Sequence, residues 1–211
     1  MAYDLEEQES LDQLKAWWEK WGNAVLGVIT VGCLAFAGYN GWNWYQRQQG
    51  AKATAAYVQL QNAYLQGDTK NVTSIADGLM KDYSGHVFAP LGAFFRASDA
   101  LKNGKTDEAK KALTWILESR HDEYKMTARI RLAGVVLDEG KPEEALKLLE
   151  AVKPAESDVV AYNDRLGDVC LALGKTEDAR KAWQAALGAD HFDGAVTPYI
   201  NLKIQSLPAA Q

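Results

Sequence analysis

The sequence predicts an all-α protein: a single transmembrane helix followed by a soluble α-solenoid of about four helical hairpins. Three observations carry this expectation. Residues 21–46 are 26 consecutive positions without a charge, bracketed by indole and phenol rings. A glycine-centred turn recurs at Gly104, Gly140 and Gly174, 36 and 34 residues apart. No β-branched alternating run is long enough for a sheet, and proline is confined to positions 90, 142, 154, 198 and 208.

The chain divides into a short acidic tail over 1–20, an anchor helix over 21–46 and a soluble domain over 51–211. Trp21 to Trp42 is 21 helical steps, about 32 Å at the usual rise, which matches a hydrocarbon core of about 30 Å. Trp17, Trp18 and Trp21 at one end and Tyr39, Trp42, Trp44 and Tyr45 at the other read as interfacial belts. A cleaved secretory signal is the competing reading, with Ala24 to Leu34 as its apolar segment and Ala35-Phe36-Ala37 as a cleavage triplet before Gly38. The leading segment is long and acidic instead of short and basic, however. Trp42, Trp44 and Tyr45 have an obvious role only if the helix is retained, so an uncleaved anchor is favoured. Lys15 and Lys20 flank one end and Arg47 and Lys52 the other, so charge alone does not orient the span. Cys33, Ala37 and Gly41 recur every four residues and line one helical face with small side chains, which lets another helix approach closely.

Charge is unevenly distributed. The first 46 residues carry six acids (Asp4, Glu6, Glu7, Glu9, Asp12, Glu19) against Lys15 and Lys20, and the remainder is nearly balanced, with 21 basic and 22 acidic residues. No basic run offers a nucleic-acid footprint, which excludes that partner class. Cys33 lies within the span and Cys170 in the soluble part, so there is no disulfide framework.

Each glycine turn marks where one helix stops and its partner starts. The segments are Gly104-Lys-Thr-Asp-Glu-Ala109, Gly140-Lys-Pro-Glu-Glu-Ala145 and Gly174-Lys-Thr-Glu-Asp-Ala179. Glycine supplies the left-handed conformation that ends the first helix, and Thr106, Pro142 or Thr176 with the two following acids suits a helix amino terminus, as cap and as negative charge. Ala109, Ala145 and Ala179 fall where a small side chain allows close helix contact, and four residues on, Leu113, Leu149 and Trp183 supply bulk on the same face. Gly67, 37 residues before Gly104, marks a fourth, degraded hairpin that has Val72 where the others have alanine. Thr197-Pro198-Tyr199 starts a last short helix that caps the stack. A helix–turn–helix unit repeated every 34 to 36 residues predicts a stacked α-solenoid.

These units resemble the tetratricopeptide repeat. The pattern is clearest in Leu166-Gly167, Gly174, Ala179 and Ala186, recurs in Leu132-Ala133, Gly140, Ala145 and Val152, and is looser in Ala97, Gly104 and Ala109. Together with the acidic tail, the segment Leu14-Lys-Ala-Trp-Trp-Glu-Lys-Trp-Gly22 and the single anchor, the whole chain resembles the YfgM family, the ancillary subunit of the bacterial Sec translocon. That resemblance implies a single-pass inner-membrane protein with a cytoplasmic amino terminus and periplasmic repeats. It also implies association with Sec translocon subunits and with a membrane-anchored periplasmic chaperone of the prolyl isomerase type, in assistance to newly exported polypeptides. A self-associating envelope scaffold is the alternative.

Catalytic material is sparse. His86, His121 and His191 are far apart and read as ordinary surface or turn histidines, and Cys170 has no neighbouring cysteine, so no metal-ligand spacing occurs. Gly104-Lys105-Thr106 and Gly174-Lys175-Thr176 imitate the end of a phosphate loop, but the first glycine of that motif would fall at Asp99 and Val169. Asp107-Glu108, Glu143-Glu144 and Glu177-Asp178 sit at one place in each repeat, as helix-start acids do. No cofactor and no enzymatic activity are expected; the chain acts by surface. In a tetratricopeptide stack the first helix of each pair lines a concave groove. That spacing points Tyr57, Gln61 and Tyr64, then Phe94, Ser98 and Leu101, then Ile130, Arg131 and Leu137, then Asp164, Asp168 and Leu171 inward. Among these only Arg131 fits a basic clamp for a carboxylate, and it faces Asp164 and Asp168.

Overall fold

In the computed structural model, residues 2–189 and 196–208 are described, with side chains from residue 9 onward. His191 and the side chains of Asp4, Glu6 and Glu7 lie outside the described residues. Every element among the described residues is helical. The chain forms two compact units, Met1–Lys52 and Ala53–Gln211.

Helix α1 is Ala2–Leu65 in full extent, and the first unit holds it as far as Lys52. Within Glu9–Leu65 it contains a segment long and apolar enough to cross a membrane. Its apolar side chains, from Leu26 through Ile29, Leu34 and Phe36, are exposed. Two polar side chains of the uncharged segment bond back onto the helix: Thr30 Oγ1 donates to the Leu26 carbonyl at 2.7 Å, and Asn40 Nδ2 to the Phe36 carbonyl at 2.9 Å. Such back-bonding keeps polar groups tolerable in hydrocarbon.

The second unit starts with the last turns of α1 and continues through α2 (Thr69–Asp82), α3 (Phe88–Lys102), α4 (Thr106–Glu118), α5 (Asp122–Asp138) and α6 (Pro142–Glu150). After a 3-10 turn at Glu156–Asp158 come α7 (Val159–Ala172), α8 (Thr176–Leu187) and α9 (Thr197–Gln205). From α2 to α9 each helix packs on the next, and α5 also touches α7.

Four glycines, Gly67, Gly104, Gly140 and Gly174, carry φ values of +72°, +70°, +76° and +73°. At each, two backbone bonds close the same cap. The glycine N–H donates three residues back and the next N–H five back, as in Gly104 to Leu101 at 3.0 Å and Lys105 to Ala100 at 2.8 Å. This Schellman closure satisfies carbonyls that a helix end leaves orphaned. Gly67 obeys the same geometry, and Val72, which stands where the other units have alanine, is likewise fully buried in the hairpin core.

Thr106, Pro142 and Thr176 are the first helical residues of α4, α6 and α8, but none is the cap. The cap positions are Lys105, Lys141 and Lys175, whose side chains make no capping bond. The Schellman bond donated by each of those lysine N–H groups places the chain so tightly that the helix starts one residue earlier than a threonine cap would need. Asp68 is a true side-chain cap, accepting from the Asn71 N–H at 3.1 Å.

Bulk alternates between the two helices of each pair. Seven residues before each glycine stand Leu60, Ala97, Ala133 and Gly167; nine after stand Ala76, Leu113, Leu149 and Trp183. All are buried, and the first three pairs each share one core cluster. A Cβ on Gly167 would lie 2.3 Å from Trp183 Nε1. Where one helix brings a large side chain, the other recedes, which keeps the interior close-packed.

Candidate interaction groove

Four of the residues expected in the groove come together. Phe94, Ser98 and Leu101 of α3 and Arg131 of α5 line one cavity of about 400 Å³, with Gly134, Val135 and Asp138 of α5 and Arg165 of α7. The Arg131 guanidinium carbon lies 4.5 Å over the Phe94 ring, and Tyr124 meets that ring edge-on. Desolvation pulls the Arg131 pKa below its ordinary value.

Arg165 brings a second cation, so Arg131 is not the sole basic residue of the groove as the repeat spacing suggested. Its guanidinium reaches the cavity over Gly134, where a Cβ would lie 2.9 Å from the Arg165 Cζ. A signal for it existed, since Arg131 and Arg165 both stand nine residues before a turn glycine. Asp138, also missed, stands two before Gly140.

Ile130 and Leu137 do not line this cavity. They are seven residues apart on a face of α5 that enters the core, about 100° around the helix from the stripe of Arg131 and Asp138. Tyr57 is drawn into an aromatic cluster, stacked on Phe88 at 4.7 Å and edge-on to Phe95 at 5.9 Å. Gln61, one turn away, is half-buried. Tyr64 meets Phe95 edge-on, shares a 2.6 Å hydroxyl bond with Ser98 and lies beneath Lys102, so Lys102 first and Ser98 second hold its phenol below the usual pKa.

Asp164 and Asp168 are not free groove acids facing Arg131. Lys203 of α9 donates to both, at 2.7 and 2.6 Å, and Arg165 Nη1 donates to Asp168 at 3.3 Å. The expected capping helix α9 supplies this lysine. Burial raises the Asp168 carboxyl pKa, with Lys203 pulling the other way. Burial alone would lower Lys203, but its two carboxylate bonds outweigh that and hold it above the ordinary lysine value. Leu171 stays exposed.

Cys33, Ala37 and Gly41 are exposed along α1, and a Cβ on Gly41 would meet nothing within 4 Å. His121, His86 and Cys170 make contacts inside the repeat domain. His121 is buried rather than at the surface, donating from Nε2 to the Ser84 carbonyl at 2.9 Å, while His86 stacks on Phe88. Cys170 is buried, and that burial raises its thiol pKa. Among the described residues no group of three His, Cys, Asp or Glu could hold a metal ion. The acid pairs occupy the first turns of α4, α6 and α8, where Glu108 pairs with Arg96 at 2.9 Å.

Residues 15–209 match the tetratricopeptide repeat-like domain family. A protein of Aggregatibacter actinomycetemcomitans named ancillary SecYEG translocon subunit is 32% identical over 190 residues, covering 88% of this chain and 91% of that protein. The chain belongs to the YfgM family. Another member, from Neisseria gonorrhoeae and of the same name, is 25% identical over 210 residues, covering 98% of this chain and all of the relative. A third, from Escherichia coli K12, is 23% identical over 202 residues, covering 95% and 96%. Both YfgM alignments with the widest reach extend across the apolar segment as well as the repeats, so the likeness is not that of repeats alone.

Proposed function

We propose that this chain is a membrane-anchored, non-enzymatic adaptor of the Sec export machinery. Its amino terminus is cytoplasmic, and its repeat domain, stacked as a solenoid of four hairpins, is periplasmic. There it binds translocon subunits and a membrane-anchored prolyl isomerase-like chaperone, in support of newly translocated polypeptides. The single observation that carries this reading is the likeness over nearly the full chain to proteins named ancillary SecYEG translocon subunit, apolar segment included. Tethering supports it physically: an anchored domain meets membrane partners at high effective concentration, so individually weak contacts suffice. The small-residue face of Cys33, Ala37 and Gly41 is the element suited to lateral contact with another helix.

Photocrosslinkers placed at positions 33, 37 and 41 in native membranes test this. Adducts with channel or chaperone subunits are expected; adducts with further copies of this chain only would favour the self-associating scaffold instead. A periplasm-dependent reporter fused after Gln211 that stays inactive would overturn the orientation.

A further inference from the structure

We propose that the cavity framed by Phe94, Arg131 and Arg165 takes a single acidic side chain of a partner polypeptide, seated beside an apolar neighbour that covers Leu101. This deepens the adaptor reading and rests on it for the existence of a polypeptide partner.

The cations in the cavity have donors to spare. No carboxylate among the described residues lies within ion-pair distance of Arg131, whose guanidinium rests one face on the Phe94 ring. Arg165 Nε is buried without a partner, and Nη1 shares Asp168 with Lys203. A cation that is partly screened from water and has donors free gains from an arriving carboxylate. Gly134 keeps the space into which the Arg165 guanidinium projects, since any side chain there would overlap it.

Two features choose the occupant. The lining beside the arginines is mixed, but Leu101 at its edge is 44% exposed, so the segment that brings the acid gains by bringing an apolar side chain to cover it. Asp138 lies two helical turns along α5 from Arg131, in the same cavity. A polyacidic tract would run into that carboxylate, whereas one acid in an otherwise apolar stretch avoids it and leaves backbone N–H groups of the continuing chain to face Asp138. An internal segment therefore fits better than a chain terminus, which ends at its carboxylate.

Fluorescence anisotropy on the detergent-purified full chain tests the assignment. The probes are amidated, labelled decapeptides with one central Glu between Leu and Phe, and a twin carrying Gln. The Glu peptide is expected to bind about tenfold tighter, a preference that Arg131→Gln and Arg165→Gln each largely abolish and that added salt weakens. Unchanged thermal unfolding of the exposed-site variant Arg131→Gln separates lost binding from lost fold. Equal binding of the two peptides, or a preference that survives both substitutions, overturns the proposal. So does tighter binding of the Gln twin when it carries a free carboxy terminus. If peptide discrimination fails while channel subunits still co-purify with the chain, the pocket assignment falls alone; if none co-purifies, the adaptor reading falls.

Discussion

Replacing Gly167 by alanine should destabilise the repeat domain despite the better helix propensity of alanine. The new Cβ would lie 2.3 Å from Trp183 Nε1 and 2.5 Å from Cδ1, and Trp183 is 1% exposed, so the indole has no solvent to retreat into. Overpacking of this kind costs about 1–3 kcal/mol, and losing the 3.1 Å bond from Trp183 Nε1 to the Asp164 carbonyl adds about 1. Alanine returns about 1 kcal/mol through propensity, leaving a net loss of about 2 kcal/mol. For a domain of this size that is a fall in Tm of about 4–8 °C by circular dichroism. Trp183→Leu alone opens a void against Gly167 and should cost about 2–4 kcal/mol. The double variant recreates the Ala133 and Leu149 pairing of the preceding hairpin. It should therefore be more stable than the sum of the single losses by more than about 1 kcal/mol. A neutral or stabilising Gly167→Ala, or a strictly additive cycle, would refute the idea that bulk is traded across each helix pair.

Lys203→Gln should destabilise the carboxy-terminal hairpin by about 2 kcal/mol, because it strands two partly buried carboxylates, and adding Asp164→Asn with Asp168→Asn should recover most of that loss in chemical denaturation. Stability should also fall in acid. Glu108, held below the ordinary 4.5 chiefly by Arg96, and Glu139, held there chiefly by Lys110 and then Lys141, contribute stability that is complete above pH 4.5. Because the unfolded chain binds these protons first, that contribution is lost as pH falls through the lower folded values. A Tm profile that is level down to about pH 5 and then declines, with a shallower decline in Glu139→Gln, is the expected result.

The all-helical class, the apolar span and the turns at Gly67, Gly104, Gly140 and Gly174 were legible in the chain because each depends on local chemistry. An uncharged run measures itself against a bilayer, and a left-handed cap demands glycine within one turn of a helix end. Burial of Ala109, Ala145, Ala179, Leu113, Leu149 and Trp183 followed from helical periodicity for the same reason. Four of the ten residues that line the cavity were readable too, since Phe94, Ser98, Leu101 and Arg131 sit at fixed offsets from the turns.

What needed the folded molecule is everything that joins residues from different helix pairs. Periodicity assigns a face to a helix but does not say what the next helix lays across it. That Arg165 crosses to Gly134, that Lys203 of the final helix takes up Asp164 and Asp168, and that Ile130 turns into the core while its neighbour Arg131 turns out are packing outcomes. They are decided by side-chain volume and charge over separations of about 30 to 40 residues, where no local rule reaches.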